Sequence, residues 1–233
     1  MHPKMNNREL RKKYGDFTKS EIYTYPDHFF SPKDDFTLNI QNWSTYLSKY
    51  ENVSDLLFLE VGTGHGRSAV WLLENILTHQ TSKIITIDIL NTRSYKRGDL
   101  PFDFGDELTL YVDQNLEPYI QGNKCEFYEI DSKLLFKKML GNKLNSKFVT
   151  NDQFENIFDF IYLDGCHEPD YVMYESAMCF DLLKPGGRIL FDDYGWGNCR
   201  FGIESFLKCY ESKINLLSKG WQVLIEKKWK LRS

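Results

Sequence analysis

The sequence lacks the features of a membrane protein, a secreted protein or a repeat protein. No stretch of the 233 residues approaches the about 18 consecutive apolar residues that a membrane-spanning helix needs. The N-terminal residues, MHPKMNNRELRKKYGDF, contain no apolar core of a signal peptide. Neither an internal repeat nor a low-complexity tract is present. We therefore expect no membrane contact and a cytoplasmic location.

Paired cysteine motifs are also absent. The five cysteines stand at positions 125, 166, 179, 199 and 209, and no two of them form a CxxC pair. Their odd number and wide scatter favour free thiols in a reducing compartment over a disulfide framework. No group of cysteines and histidines has the spacing of a zinc site. The sequence therefore predicts neither disulfides nor structural zinc.

An excess of positive charge is the third absence. The formal net charge is −4, so we expect no nucleic-acid partner. Hydrophobic residues make up 42% of the chain and charged residues 27%, as in an ordinary globular protein. The length favours a single domain over residues 1–233. We expect residues 1–55 to form an N-terminal cap on the substrate side, and residues 56–229 to form the core.

Short apolar runs alternate with longer amphipathic stretches from residue 56 onward, which predicts a parallel sheet with helices on both faces. Strands are predicted at 56–61, 83–89, 126–130, 158–163 and 188–191. Helices are predicted at 39–49, 68–79, 106–120, 133–144, 170–183 and 202–210. Two further strands, at 214–217 and 222–225, flank the turn signal SKGW and predict an antiparallel hairpin at one sheet edge. The expected class is α/β, with seven mostly parallel strands.

A glycine-rich turn, LEVGTGHGRS, connects the first of these strands to a helix. Gly62 permits a sharp turn, and Gly64 lets the backbone approach a ligand at the start of the helix. Arg67 stands where a dinucleotide-binding motif has its third glycine. Glu60, just before the turn, suits a cationic ligand better than a pyrophosphate. The glycines could also be plain turn residues.

This segment resembles the first motif of class I S-adenosylmethionine-dependent methyltransferases, an acid followed by G-x-G-x-G. The segments KIITID, EIDS, FDFIYLDG and LLKPGGRILFDD match further motifs in the family's order. The resemblance covers residues 55–229 and implies a Rossmann-like fold with S-adenosylmethionine as the cofactor. The cofactor-binding residues that it implies are Glu60, Gly62, Thr63, Gly64, Gly66, Arg67, Ser68, Asp88, Asp131, Ser132 and Asp164.

Two of these positions have more definite expected roles. In the family, the acid at the place of Asp88 hydrogen-bonds both ribose hydroxyls of the cofactor. Asp131 and Ser132 stand where an adenine contact is expected. The same pair could instead cap the helix that follows.

Carboxylates follow the fourth and fifth predicted strands. Asp164 follows the fourth strand, whereas Asp192 and Asp193 follow the fifth, so all three are expected at one edge of the sheet. Three crowded acids favour a divalent cation with oxygen ligands. His167 follows Asp164 by three residues, and its ordinary pKa suits it to remove a proton near neutral pH. Alternatively, the acids could cap the next turn, and His167 could pair with Glu168.

This D-x-x-H and D-D arrangement is similar to that of the magnesium-dependent macrocin-type O-methyltransferases, which act on sugar hydroxyls of natural products. The resemblance implies that Asp164, Asp192 and Asp193 bind Mg²⁺ and that His167 is the base. Catechol-type methyltransferases have Asp-Asn in place of the second pair.

The expected function is methyl transfer from S-adenosylmethionine to a hydroxyl of a small molecule. Alternatives are a carboxylate or amine methyltransferase without metal, a nicotinamide-dependent oxidoreductase, and a binding module without activity. Contacts to the acceptor are expected from residues 1–55, from residues 91–107 and from the loop after Asp193, where Trp196 stands. The sequence leaves the oligomeric state open, and a homo-oligomer is compatible with it.

Overall fold

A computed structural model describes residues 23–25, 28–30, 36–89, 105–141, 146–149 and 155–229. These residues divide into two compact units. The first unit contains the described residues up to 54 together with 63–82 and 105–125. The second unit contains residues 55–62 and 83–89 and the described residues from 126 onward.

The first unit is mainly helical. Its strands β1 (Tyr23–Tyr25) and β2 (His28–Phe30) pair as an antiparallel hairpin, which the sequence analysis did not predict. Its helices are α1 (Ile40–Tyr46), α2 (Arg67–Asn75) and α3 (Gly105–Gln121). Short 3₁₀ turns at Thr37–Asn39 and Ser48–Tyr50 flank α1, so the predicted helix at 39–49 is regular only in its middle.

An aromatic core stabilises the first unit. The ring of the fully buried Trp43 meets Phe36 with centroids 4.8 Å apart and Trp71 with centroids 5.8 Å apart, both edge to face. Such edge-to-face pairs contribute about 0.5–1.5 kcal/mol each beyond the area that they bury. These contacts fix α1 and α2 to each other within the unit.

The second unit is built on a seven-stranded sheet. Its strands are β3 (Leu57–Val61), β4 (Lys83–Asp88), β5 (Cys125–Glu129), β6 (Phe158–Leu163), β7 (Leu183–Phe191), β8 (Ile214–Lys219) and β9 (Val223–Lys227). The order across the sheet is β5-β4-β3-β6-β7-β9-β8. Strand β3 is parallel to β4 and to β6, and β6 is parallel to β7, whereas β9 is antiparallel to both of its neighbours. The predicted fold class, including the C-terminal hairpin, is confirmed.

Strand order reverses between β3 and β6, and this reversal positions the site. From β3 the chain goes to β4 on one side, and it later returns to β6 on the other side. In open α/β sheets, ligands bind outside the carboxyl ends of the strands at such a point. The side chains of Leu59 and Ile161, paired across this point, are fully buried, so the strands that carry the site are rigid.

The remaining helices of the second unit are α4 (Ser132–Leu140), α5 (Pro169–Leu182) and α6 (Gly197–Tyr210). The described part of the predicted 133–144 helix ends at Leu140, and residues 142–144 lie outside the described residues. All five cysteines are free thiols, as expected. No helix in the described part of the chain is both long and apolar enough to cross a membrane.

Two elements begin five residues earlier than predicted. Strand β7 begins at Leu183 instead of residue 188, because a register shift between Phe158 and Phe160 of β6 accommodates the Pro-Gly-Gly segment within the pairing. Gly186 there has φ +77°, which a glycine adopts without strain. Helix α6 begins at Gly197 instead of residue 202, since its exposed first turn lacks the apolar periodicity that marks a helix in sequence.

Candidate active site

The acid that precedes the glycine turn lies inside the sheet. Glu60 is fully buried on β3, directly beside Thr86 of β4 in the strand register. The Thr86 hydroxyl donates a short hydrogen bond to Oε2 of Glu60. A buried carboxylate needs such a donor, because burial without one is costly. Glu60 is therefore held by the neighbouring strand.

Gly62 is required by close packing. Its backbone has φ +95°, and its N–H donates to the carbonyl of Ile87 over 2.9 Å. A Cβ at this position would lie 1.9 Å from the carbonyl oxygen of Asp164. No side chain fits there, so the turn after β3 contacts the backbone that follows β6.

The next two glycines, in the first unit, have different surroundings. Gly64 has φ +51°, and a Cβ there would meet no other atom within 4 Å, so the space beside it is open. Gly66 has φ +80° and precedes the first residue of α2, Arg67. Thr63 and Ser68 are buried. Residues 63–66 therefore form a turn, with positive φ at Gly64 and Gly66, that leads directly into α2.

The adenine-binding prediction falls on residues that already have protein partners. Oδ1 of Asp131 accepts a hydrogen bond from the backbone N–H of Leu134 over 3.2 Å, which caps the N-terminus of α4. The Ser132 hydroxyl donates to Oε1 of Glu175 over 2.6 Å. Burial raises the pKa of Glu175 to about 7, although the Ser132 hydrogen bond opposes the shift. The capping alternative is thus observed, and the cofactor contact stays a prediction.

Two carboxylates meet at the ends of β6 and β7. Asp164 and Asp192 each follow a residue pair that is in register, Leu163 with Phe191. The hydroxyl of Tyr162 lies 3.1 Å from Oδ2 of Asp164 and 2.5 Å from Oδ2 of Asp192. The sequence prediction that these acids gather at one edge is therefore matched by the geometry.

This crowding changes the acids' protonation. The pKa of Asp164 is raised well above its ordinary value, first by burial and then by the negative charges of Asp192 and Asp193. Burial also raises the pKa of Asp192, although the hydrogen bonds from Tyr162, the Asp193 N–H and Gln222 oppose the shift. An arrangement that resists further negative charge favours a bound cation.

His167 completes the cluster. Its Nε2 lies 3.0 Å from Oδ2 of Asp193, whose backbone has φ +53°. That left-handed conformation is uncommon outside glycine but is tolerated by aspartate. The indole of Trp196 meets the imidazole edge to face, with centroids 5.0 Å apart. His167 is thus oriented from two sides.

A metal ion has suitable donors here. Among the residues that the structure describes, Asp164, His167 and Asp193 each offer a ligand atom, and these atoms all lie within 4.8 Å of one another. Asp192 is not part of this group. Its Oδ1 accepts from the Asp193 N–H over 2.8 Å, and its Oδ2 faces Tyr162. The carboxylate oxygens suit a hard divalent cation, whereas the imidazole nitrogen is a ligand more typical of transition metals.

A small pocket opens at this cluster. Its lining includes the four polar residues of the cluster together with Cys166 and Glu175. Cys199 also lines the pocket, and burial raises the pKa of its thiol to about 12, so it stays protonated. The pocket is therefore lined by carboxyl groups and an imidazole together with a thiol, that of Cys199, that stays protonated.

Sequence reasoning missed two residues of this site. Tyr162 was assigned only to a strand, although its place two residues before Asp164 puts both side chains on one face of the strand. Gln222, buried near the hairpin turn, carries no signal that could have found it. Of the predicted acceptor contacts, Trp196 lies at the cluster, whereas residues 1–22 and 91–104 lie outside the described residues.

Comparison with known proteins gives one family. The family described as "Methyltransferase domain" matches residues 59–194, more than half of the chain. None of the curated proteins compared matches this chain.

Three solved structures are similar in fold. An O-methyltransferase from Bacillus cereus, in complex with SAH, is 14% identical, with a TM-score of 0.54 over 84% of this chain and 83% of that one. The O-methyltransferase TomG from Streptomyces achromogenes, involved in tomaymycin synthesis and in complex with SAM, is 13% identical, with a TM-score of 0.57 over 97% and 92%. A candidate rRNA methylase from Clostridium thermocellum is 13% identical, with a TM-score of 0.55 over 81% and 97%.

These likenesses show the fold alone, since methyltransferases with different acceptors share it. The family match and the fold agree with the resemblance found in the sequence. The chain therefore belongs to a methyltransferase-domain family, with the class I methyltransferase fold.

Proposed function

We propose that this protein transfers a methyl group from S-adenosylmethionine to a hydroxyl of a small molecule, with the help of a divalent metal ion and with His167 as the base. The convergence of Asp164, His167 and Asp193 within 4.8 Å at the pocket carries this proposal. Methylation of a hydroxyl needs a nucleophile that has lost its proton, and both a metal and a base serve that end. The cluster contains groups for both.

For the cofactor, we propose that the carboxyl ends of β3, β4 and β5 hold the donor. Glu60 lies beneath the turn as a buried acid, and Asp88 ends β4 with its side chain half-buried. Gly62, Asp131, Ser132 and Asp164 complete the proposed set in the second unit. S-adenosylmethionine carries an ammonium and a sulfonium, which suit an acidic surround. A contact of residues 63–68 with the cofactor remains a prediction from the sequence.

The metal proposal keeps Asp164, Asp192 and Asp193 as the ligands. Asp164 and Asp193 already have converging oxygens, and Asp192 lies beside them in the register of the sheet. When bound, a divalent ion would lower the pKa of an acceptor hydroxyl and offset the mutual repulsion of the acids. Mg²⁺ suits such oxygen ligands.

His167 would act on the acceptor proton. The hydroxyl oxygen attacks the methyl carbon, the carbon–sulfur bond breaks, and its electron pair stays on sulfur, giving S-adenosylhomocysteine. The imidazole takes the hydroxyl proton. The carboxylate of Asp193, 3.0 Å from Nε2, stabilises the imidazolium that results, as a carboxylate does in other histidine-base sites. The edge contact with Trp196 keeps the ring in place.

The acceptor class is proposed by analogy with two of the similar structures. Both O-methyltransferases described above bind SAM or SAH in their crystals, and one acts in the synthesis of a natural product. We propose a small-molecule acceptor of the natural-product type and no nucleic-acid partner, in line with the net charge of −4. A cytoplasmic location and a single functional domain remain expectations from the sequence.

Removal of divalent ions tests the proposal. Purified protein is treated with a chelator, and methyl transfer from labelled S-adenosylmethionine is measured across a panel of phenols, sugars, carboxylic acids and amines. We expect transfer to hydroxyl acceptors that is lost with the chelator and regained with Mg²⁺. Turnover that is unchanged by the chelator, or that occurs on carboxylates or amines alone, would instead favour the metal-free alternative.

A further inference from the structure

A single tyrosine hydroxyl lies between two of the site's acids. Tyr162 is fully enclosed, with 2% of its surface exposed, and its hydroxyl is 3.1 Å from Asp164 and 2.5 Å from Asp192. The two aspartates follow different strands. Asp164 is two residues from Tyr162 along the sequence, whereas Asp192 is 30 residues away. One side chain of the sheet thus links both carboxylates.

The pleat of the sheet explains this placement. Side chains two residues apart on a strand point to the same face, so Tyr162 and Asp164 share a face. Tyr162 is in register with Leu190 of β7, and Asp192 follows Leu190 by two residues. All three polar side chains therefore point the same way. On the other side of β6, Phe160 packs against Phe58 of β3, with ring centroids 5.0 Å apart.

The phenol also has no room to move. Tyr162 pairs with Glu60 on one side and with Leu190 on the other, and all three are buried. A hydroxyl on a rigid ring, held within a central strand, fixes the carboxylates that it touches. Groups in contact with metal ligands commonly orient them in this way.

We propose that Tyr162 is a positioning residue whose hydroxyl holds the carboxylates of Asp164 and Asp192 in the geometry that a divalent ion requires. The inference rests on the proposed function and adds to it a residue for which the sequence analysis predicted no role. Tyr162 is buried and is not one of the residues that line the pocket. It acts through the acids.

The test compares Tyr162→Phe with Tyr128→Phe. Tyr128 also donates to a carboxylate, with its hydroxyl 2.9 Å from Oε2 of Glu126, but it lies on β5 away from the acid cluster. Each protein is titrated with MnCl₂ in the presence of S-adenosylhomocysteine, and free Mn²⁺ is measured by electron paramagnetic resonance. Affinity for S-adenosylhomocysteine is measured separately by calorimetry.

We expect Tyr162→Phe to weaken Mn²⁺ binding by about 10–100-fold, the usual effect of losing a group that orients a ligand. Tyr128→Phe should leave it unchanged, and both variants should bind S-adenosylhomocysteine as the wild type does. Wild-type Mn²⁺ affinity in Tyr162→Phe overturns the positioning role and leaves the proposed function intact. A wild type that binds no Mn²⁺ overturns both.

Thermal unfolding in metal-free buffer shows whether Tyr162→Phe folds. Should it fail to fold, Gln222→Ala takes its place, since the buried Gln222 side chain also opposes the rise in the pKa of Asp192. A several-fold loss of Mn²⁺ affinity in that variant supports the positioning of these carboxylates by protein donors. Unchanged Mn²⁺ affinity in Gln222→Ala overturns the proposed positioning of the carboxylates.

Discussion

Two groups of acids lie at the carboxyl ends of one sheet, and their surroundings differ. At the ends of β3 and β5, Glu60 accepts from Thr86 and Asp131 caps a helix, so each acid has a donor of its own. At the ends of β6 and β7, Asp164, Asp192 and Asp193 lie against one another, and burial with mutual repulsion raises the pKa of Asp164.

The difference bears on where the proposed metal ion would bind. A hydrogen bond from a protein donor compensates a buried carboxylate for part of its lost hydration. Crowded carboxylates are stable only if protons or a cation reduce their charge. The β3–β5 end therefore suits the organic cofactor, whereas the β6–β7 end suits a metal.

The largest expected effect is at the crowded end. His167→Ala should lower turnover by about 10²–10⁴-fold, since the acceptor loses its general base. Affinities for Mn²⁺ and for S-adenosylmethionine should change little. His79→Ala, which alters an exposed histidine of the first unit, is the control. A collapse of Mn²⁺ affinity in His167→Ala would make the residue a metal ligand, and wild-type turnover would remove its role altogether.

Asp164→Asn addresses the crowding itself. In the folded protein the raised pKa means that Asp164 keeps a proton that the unfolded chain has already lost, so metal-free wild type should lose stability as pH rises above the ordinary aspartate pKa. Asp164→Asn should lose less stability over the same pH range. Urea unfolding at pH 5 and pH 8, with and without Mg²⁺, measures this. Equal pH dependence in both proteins would contradict the crowding account, as would equal stabilisation of both by Mg²⁺.

Glu175→Gln should have a smaller effect of the same sign. The pKa of Glu175 rises from 4.5 to about 7, so the wild type should lose about 3 kcal/mol of stability as pH rises from 4.5 to 7. The neutral glutamine avoids this loss and still offers an oxygen to Ser132. Chemical denaturation across this pH range tests it, with the exposed Glu117→Gln as the control. If the stability of Glu175→Gln changes with pH as that of the wild type does, the Glu175 carboxyl is not the cause of the loss.

Asp88→Ala should have the smallest effect, at the cofactor end. The side chain is proposed to bind the ribose, so the dissociation constant of S-adenosylmethionine should rise by roughly 10-fold, the worth of a hydrogen bond to a charged group. The backbone bond from Ile130 to the carbonyl of residue 88 does not depend on the side chain. Calorimetry with the exposed Asp113→Ala as control measures the change. Unchanged affinity for S-adenosylmethionine would reject the ribose role of Asp88. Loss of Mn²⁺ binding in Asp88→Ala would contradict the separation of a cofactor end, at β3–β5, from a metal end, at β6–β7.

The sequence predicted most of the fold because buried strands have strong local signals. Strand β6 has the predicted bounds, 158–163, and β3 and β4 each differ by one residue. The start of β7 was wrong, since Pro185 and two glycines usually end an element and only the pairing with β6 shows that they do not. The β1–β2 hairpin was missed because three-residue strands have too few residues to show alternation.

The site was predicted in part for similar reasons. Asp164, His167, Asp192 and Asp193 could be found because their order along the chain places them after strands. The role of Tyr162 could not, because it depends on the register between β6 and β7 and on the contact with Asp192, 30 residues away. The φ of +53° at Asp193 likewise has no signal in its neighbours. The local sequence pattern predicts which residues follow the strands. Which of their side-chain atoms come into contact depends on the register between the strands.

The contact between Gly62 and the carbonyl of Asp164 has a practical consequence for engineering. Because a single added carbon at position 62 would overlap that carbonyl, the donor-side turn and the acid-bearing loop cannot be mutated independently. A variant library aimed at new acceptors should keep this glycine fixed and diversify Trp196 and its neighbours instead. Under the proposed function, substitution at Gly62 should weaken donor binding and ion binding together, although only one carbon atom has been added.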